Sequence, residues 1–153
     1  MNKKLRILLS PLDWGLGHAS RDIPIIQNLI NRGHTVILAG GKRPLDLLRK
    51  EFPTLEYEPL SSPNIYYQDR GNLVKIIIRQ IPKLLYTVMR EHRQIKRIAK
   101  KHKIDVIISD HRYGVWTKET YNIFITHQVM IKMPEGLHFL EKTIFKLNKW
   151  MMR

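Results

Sequence analysis

The sequence predicts an α/β protein with a doubly wound parallel sheet in three layers, α/β/α. Short apolar runs alternate with amphipathic segments along the chain. The runs are continuous rather than alternating, as strands covered on both faces are. A glycine turn, Gly15-Leu16-Gly17, joins the first run to the first amphipathic segment, the β-α junction that opens such sheets.

Candidate strands are 5–10, 35–39, 55–58, 104–109 and 123–126, and candidate helices are 18–32, 44–52, 73–101 and 135–152. The first strand, Leu5 onward, ends at Pro11, and the helix after the turn carries its apolar residues at helical spacing. Gly33 stands where that helix needs a C-terminal cap, and Pro44 where a first-turn proline is tolerated. The segment 59–71, rich in Ser, Asn, Pro and Tyr, reads as a long loop of the kind that often carries function. The helix from Leu73 is apolar in its first half and basic in its second, from Arg90 to Lys103. The last helix has Leu137, Leu140, Ile144, Leu147 and Trp150 on one side. The alternation then calls for another strand and none follows, so the expectation is one domain, 1–153, that stops before its last strand.

The 153 residues amount to about one domain. A chain of this size buries roughly 70% of its unfolded surface, and the 43% hydrophobic content argues against disorder. With no cysteine, disulfides and thiolate metal sites are excluded, which fits a reducing cytoplasm. The basic start Met1-Asn2-Lys3-Lys4 precedes a run too short for a secretory signal, and no run nears the ~20 apolar residues of a membrane span. The outlier is the net charge of +14, which implies an anionic partner: nucleic acid, an anionic membrane face or a phosphorylated substrate. Aromatic content of 8%, not interleaved with the basic run, disfavours nucleic acid. The apolar and basic halves of the long helix suit an anionic membrane surface, or else a core-packed helix with a solvated basic side.

In such sheets ligands bind beyond the carboxyl ends of the strands. Asp13, Trp14 and His18 fall there after the first strand, and Gly40, Gly41, Lys42 and Arg43 after the second. Asp110, His111 and Arg112 follow the fourth, and His127 and Gln128 the fifth. Glycines allow close backbone approach, and a helix N-terminus presents N–H groups and the positive end of its dipole to a phosphate. His18 is a candidate general base at that point, and Asp110 a carboxylate able to orient it. Each has a structural alternative: His18 bonded to nearby backbone, Asp110 capping a helix. The glycine turn is also a partial dinucleotide fingerprint. However, the second strand ends in Lys42 and Arg43 rather than a ribose-binding acid, so that reading would at best suit NADP. Metal binding by His18, Asp110, His111 and His127 lacks any short-spaced ligand pair, and no metal is expected.

With these residues in view, the chain resembles the N-terminal, Rossmann-like half of two-domain GT-B glycosyltransferases. The nearest kind is the MurG-like UDP-N-acetylglucosamine transferases of glycosyltransferase family 28, within the wider UDP-glycosyltransferase group. Gly15-Leu16-Gly17-His18, then Ile23-Pro24 and Leu29, is similar to the family's glycine-glycine-histidine turn with its downstream proline. Arg32-Gly33-His34-Thr35-Val36 is similar to the approach to the second strand, and Ile107-Ile108-Ser109-Asp110 with Trp116 to the strand-end aspartate that pairs with the turn histidine. His127-Gln128 resembles a His-Glu-Gln stretch, from which Val129 departs. Trp14-Gly15-Leu16-Gly17-His18 also differs from the MurG-type Gly-Gly-Thr-Gly-Gly-His.

The resemblance implies an inverting transfer from a UDP-sugar to a lipid-linked or other cell-envelope acceptor, with His18 as base and Asp110 orienting it. Trp14, Gly15, Gly17, Ser20, Arg21, His111, Arg112, Tyr113, His127 and Gln128 would bind acceptor or phosphate. No cofactor is implied. The donor would bind mainly a C-terminal domain, in cis or as a partner chain, and the protein would be cytoplasmic or peripheral on the inner face of the cytoplasmic membrane. This chain alone would then be incomplete and inactive. A non-catalytic subunit recruiting acceptor or membrane, dependent on a partner chain, is the alternative.

Overall fold

The computed structural model describes residues 3–61 and 73–126. Its elements, in chain order, are β1 (Arg6–Pro11), α1 (Gly17–Asn31), β2 (Thr35–Gly40), α2 (Lys42–Glu51), β3 (Glu56–Pro59), α3 (Leu73–His102), β4 (Val106–Asp110) and β5 (Tyr121–Ile125). All five strands pair in parallel in the order β3-β2-β1-β4-β5. The chain therefore builds outward from β1 in one direction and then restarts on its other side with β4. The predicted helix 135–152 lies outside the described residues.

Apolar strand residues divide between the two faces. Ile7, Leu9, Val36 and Leu38 pack with Ala19 and Ile26 of α1 and Leu45 and Leu48 of α2. Leu8, Ile37, Ala39 and Ile107 pack with Ile95, Ile98 and Ala99 of α3. Successive strand residues point to opposite faces, so both parities must be apolar when helices cover both sides. That is the physical origin of the continuous runs, and it makes the fold a Rossmann-like three-layer α/β/α domain.

Element boundaries differ from the predicted ones by one or two residues, for identifiable reasons. After α1, the amide of Gly33 (φ 81°) donates to Ile30 O at 2.8 Å and that of His34 to Leu29 O at 3.1 Å. This is a Schellman cap, with glycine taking the left-handed position. α3 closes in the same way without glycine: Lys103 has φ 49°, and the Ile104 amide donates to Ala99 O at 2.9 Å. Ile104 thus belongs to the cap, and the fourth strand begins later than the apolar run suggests. Among the described residues, no helix is long and apolar enough to cross a membrane.

Candidate active site

The strand order reverses between β1 and β4, and in open α/β sheets the crevice beyond that point is where ligands bind. Two strand ends meet there, Pro11 lying in register with Asp110. The turn after β1 passes through Gly15 at φ 134°, a conformation open essentially to glycine, and leads into α1. No side chain caps that helix and its first turn contains no acidic residue, so the nearest carboxylate to its positive end comes from another element, Asp110 of β4. His18 is its second residue and Asp110 the last of β4.

His18 Nδ1 lies 2.7 Å from Asp110 Oδ2. Asp110 is fully buried, while the His18 side chain is 16% exposed, so the pair has an inner anion and an outer imidazole. Arg21, one turn further along α1, donates from one guanidinium nitrogen to both carboxylate oxygens, at 2.6 and 2.7 Å. The same nitrogen lies 2.9 Å from His18 Nδ1. Nδ1 cannot both donate to Asp110 and accept from Arg21. The Nδ1–H tautomer pairs every donor with an acceptor and sets Arg21 beside the ring as a cation. The other tautomer would press a bare ring nitrogen against a carboxylate oxygen. With Nδ1–H held by Asp110, proton exchange falls to Nε2.

His111 follows β4 with φ 60°, an uncommon backbone state for a residue other than glycine, and its ring centroid is 6.0 Å from that of His18. Its Nδ1 is 3.0 Å from Thr126 Oγ1, and its ring stacks on Phe124. Tyr113 packs edge-on to His111, and burial pushes its phenol up from the ordinary value. Trp14 and Leu16 are exposed on the turn. The Ser20 hydroxyl turns back to donate to Leu16 O at 2.9 Å. Gly17 begins α1 with open space where a Cβ would stand.

Arg112 has an interior position rather than one lining a crevice. It is 3% exposed and forms an ion pair with Glu91 of α3, and it also donates to Pro11 O and Ser61 O, both at 3.3 Å. His127 and Gln128 lie outside the described residues. Among the described residues no group of side chains is arranged to hold a metal ion.

Two residues near this site were not singled out by sequence reasoning. Asp22 is fully buried on α1, and Glu91 is the partner of Arg112. Both left a trace: Asp22 is four residues after His18, and Glu91 is an isolated acid in a basic run. Gly114 packs on Glu91 closely. A Cβ there would stand 2.7 Å from Glu91 Cβ, Glu91 Oε2 and Val88 O. Gly114→Ala is therefore expected to destabilise the protein by about 1–3 kcal/mol through overpacking, read as a lower melting temperature.

The profile of the group described as "Glycosyl transferase family 1" matches residues 5–146. The chain belongs to glycosyl transferase family 1. No curated protein sequence matched it. Among solved structures, the glycosyltransferase of kitacinnamycin is similar at TM-score 0.66 and 18% identity, over 95% of this chain and 36% of that one. The calicheamicin glycosyltransferase is similar at TM-score 0.59 and 15% identity, over 97% and 38%. A glycosyltransferase from Rickettsia africae ESF-5 gives 0.57 and 18%, over 94% and 35%. These likenesses support the fold as that of a GT-B glycosyltransferase domain. The family 1 chain spans little more than a third of each of these structures.

Proposed function

We propose that this family 1 chain is the acceptor-binding part of an inverting, MurG-like glycosyltransferase, moving a sugar such as N-acetylglucosamine from a UDP-sugar to a lipid-linked or other cell-envelope acceptor. The observation that carries the reading is the 2.7 Å contact of His18 Nδ1 with buried Asp110, beside an uncapped helix N-terminus at the switch point. In the proposed step, His18 Nε2 takes the proton of the acceptor hydroxyl as its oxygen attacks the anomeric carbon. The bond from that carbon to the diphosphate oxygen breaks, and its electron pair leaves with UDP. Asp110 stabilises the imidazolium that forms. Arg21 and the α1 N-terminus supply positive potential for phosphate charge on acceptor or leaving group. Trp14, His111 and Tyr113 line the acceptor side. A donor-binding domain, in cis or from a partner chain, completes the enzyme.

A membrane-recruiting role, with or without catalysis, is favoured by one observation. Leu85, Tyr86 and Met89 are 55–65% exposed on α3, between exposed Lys83 and Arg90. An apolar patch with a cationic rim suits an anionic lipid surface at the cytoplasmic face.

The test is incubation of the intact protein with UDP-N-acetylglucosamine and a panel of lipid-linked and soluble acceptors, with NADPH titrated as a control ligand. Glycosylated product with inverted anomeric configuration, identified by mass spectrometry and NMR, is the expected result. Product with retained configuration, or NADPH binding in place of UDP-sugar turnover, overturns the reading. Turnover only on adding a partner chain, together with flotation on anionic vesicles, selects the recruiting subunit.

A further inference from the structure

The buried residues of α1 are Ala19, Asp22 and Ile26, spaced as the apolar stripe of a helix packed on a sheet. Asp22 occupies the middle of that stripe, where the pattern calls for a methyl-bearing side chain. It is fully buried, and neither carboxylate oxygen has a hydrogen-bond partner. Ser10 of β1, also fully buried, has an unpartnered hydroxyl as well. An acid held this way is costly when ionised, and no bond made by its neutral form repays the burial. Asp22 shares α1 with His18 and Arg21, at spacings of four and one.

We propose that Asp22 is a positioning residue of the His18–Asp110 pair: a carboxyl that takes no part in proton transfer to substrate, but whose charge state sets how strongly the pair holds a proton. Burial, together with the charge on Asp110, raises the Asp22 carboxyl to about 7, with Arg21 pulling the other way. The charged groups acting on it are thus Asp110 from β4 and Arg21 from its own helix; His18, bonded to Asp110, His111 beside the His18 ring, and Tyr113 packed on His111 are the titratable groups next to them. β1 adjoins with the uncharged Ser10, and the core side chains of β2 are apolar. On α2, packed against α1, the charged residues Lys42, Arg43, Asp46, Arg49, Lys50 and Glu51 occupy exposed positions.

With Asp22 neutral, Asp110 is balanced by Arg21 and the cluster carries no net charge. When Asp22 ionises, the cluster gains a negative charge, and the imidazolium is stabilised by a second carboxylate. As a general base His18 then becomes more effective above neutrality. The inference rests on His18 being that base, although the coupling can be read without any substrate.

The experiment is a carbon-detected NMR titration of Asp carboxyl and His ring resonances in the full chain, for the natural sequence and for Asp22→Asn. One Asp carboxyl should titrate near neutrality, the His18 ring should show an inflection at the same pH, and that inflection should vanish in Asp22→Asn. The ratio of natural to Asp22→Asn kcat/KM should stay near one below about pH 6 and rise about three- to tenfold above about pH 8. An Asp22 carboxyl titrating in the ordinary acidic range, or a His18 ring indifferent to it, overturns the proposal. So does a pH-independent activity ratio, the mark of a merely structural residue. Should Asp22→Asn fail to fold, the two inflections in the natural chain decide by themselves. An intact coupling with no sugar transfer would count against the proposed activity, not against this role.

Discussion

His18→Ala is expected to lower sugar transfer by about 10²–10⁴-fold while leaving the fold intact. The two halves of that expectation come from different features of the site. In the proposed mechanism activity falls because the acceptor hydroxyl loses the group that would take its proton as the new bond forms. Stability holds because Asp110, the fully buried member, keeps Arg21 on both of its oxygens at 2.6 and 2.7 Å, so truncating the imidazole leaves no uncompensated buried charge. The imidazole itself is partly solvated. The loss should therefore appear in kcat with little change in KM, as for an interaction realised in the transition state. Steady-state kinetics paired with a thermal melt measures both. Full transfer by His18→Ala would remove the base assignment. Asp110→Asn is the contrasting variant: it disorients the imidazole and also strips Arg21 of its counter-charge, so rate and stability should fall together.

The fold was legible in this sequence because its strands are buried on both faces. Leu8 and Leu9 point to opposite helical layers, and a run in which both must be apolar announces a parallel sheet before any pairing is known. Gly33 and Gly15 announced their turns for a local reason, the left-handed or otherwise disfavoured backbone each adopts. The meeting of His18 with Asp110 was accessible through topology, since both follow strands and the first and fourth strands of such sheets are commonly neighbours. What stayed hidden depends on burial. The position of Arg21 on the His18 side of α1 follows from helical spacing, but its bonds to Asp110 follow from the height of β4 against β1. Arg112 looks in sequence like a residue reaching for a ligand beside Asp110 and His111. Its inward turn is decided by Glu91, 21 residues away on α3. Asp22 reads as an ordinary early-helix acid until the sheet closes over it.

Glu91→Ala should destabilise the protein by about 3–5 kcal/mol, which for a chain of this size is a fall in melting temperature of roughly 6–20 °C. Glu91 is 4% and Arg112 3% exposed, so removing the carboxylate takes from a buried guanidinium the counter-charge that lies against it. Burial pushes the Glu91 carboxyl up, against the pull of Arg112, so forming the pair has a large desolvation cost of its own. Its value therefore lies less in net attraction than in the penalty for breaking it. Replacing both residues, as in Glu91→Leu with Arg112→Met, should recover much of the lost stability. Recovery should stay incomplete, because Arg112 also satisfies the carbonyls of Pro11 and Ser61. Those bonds tie the end of β1, the segment after β3 and the 111–114 turn to one another beneath the candidate site. The double variant should accordingly regain stability ahead of activity. Denaturant midpoints for the two single variants and the double variant, with transfer rates beside them, measure this coupling. A Glu91→Ala protein within about 1 kcal/mol of the natural chain would mean that the pair is solvated and that Arg112 is held by the two carbonyls instead.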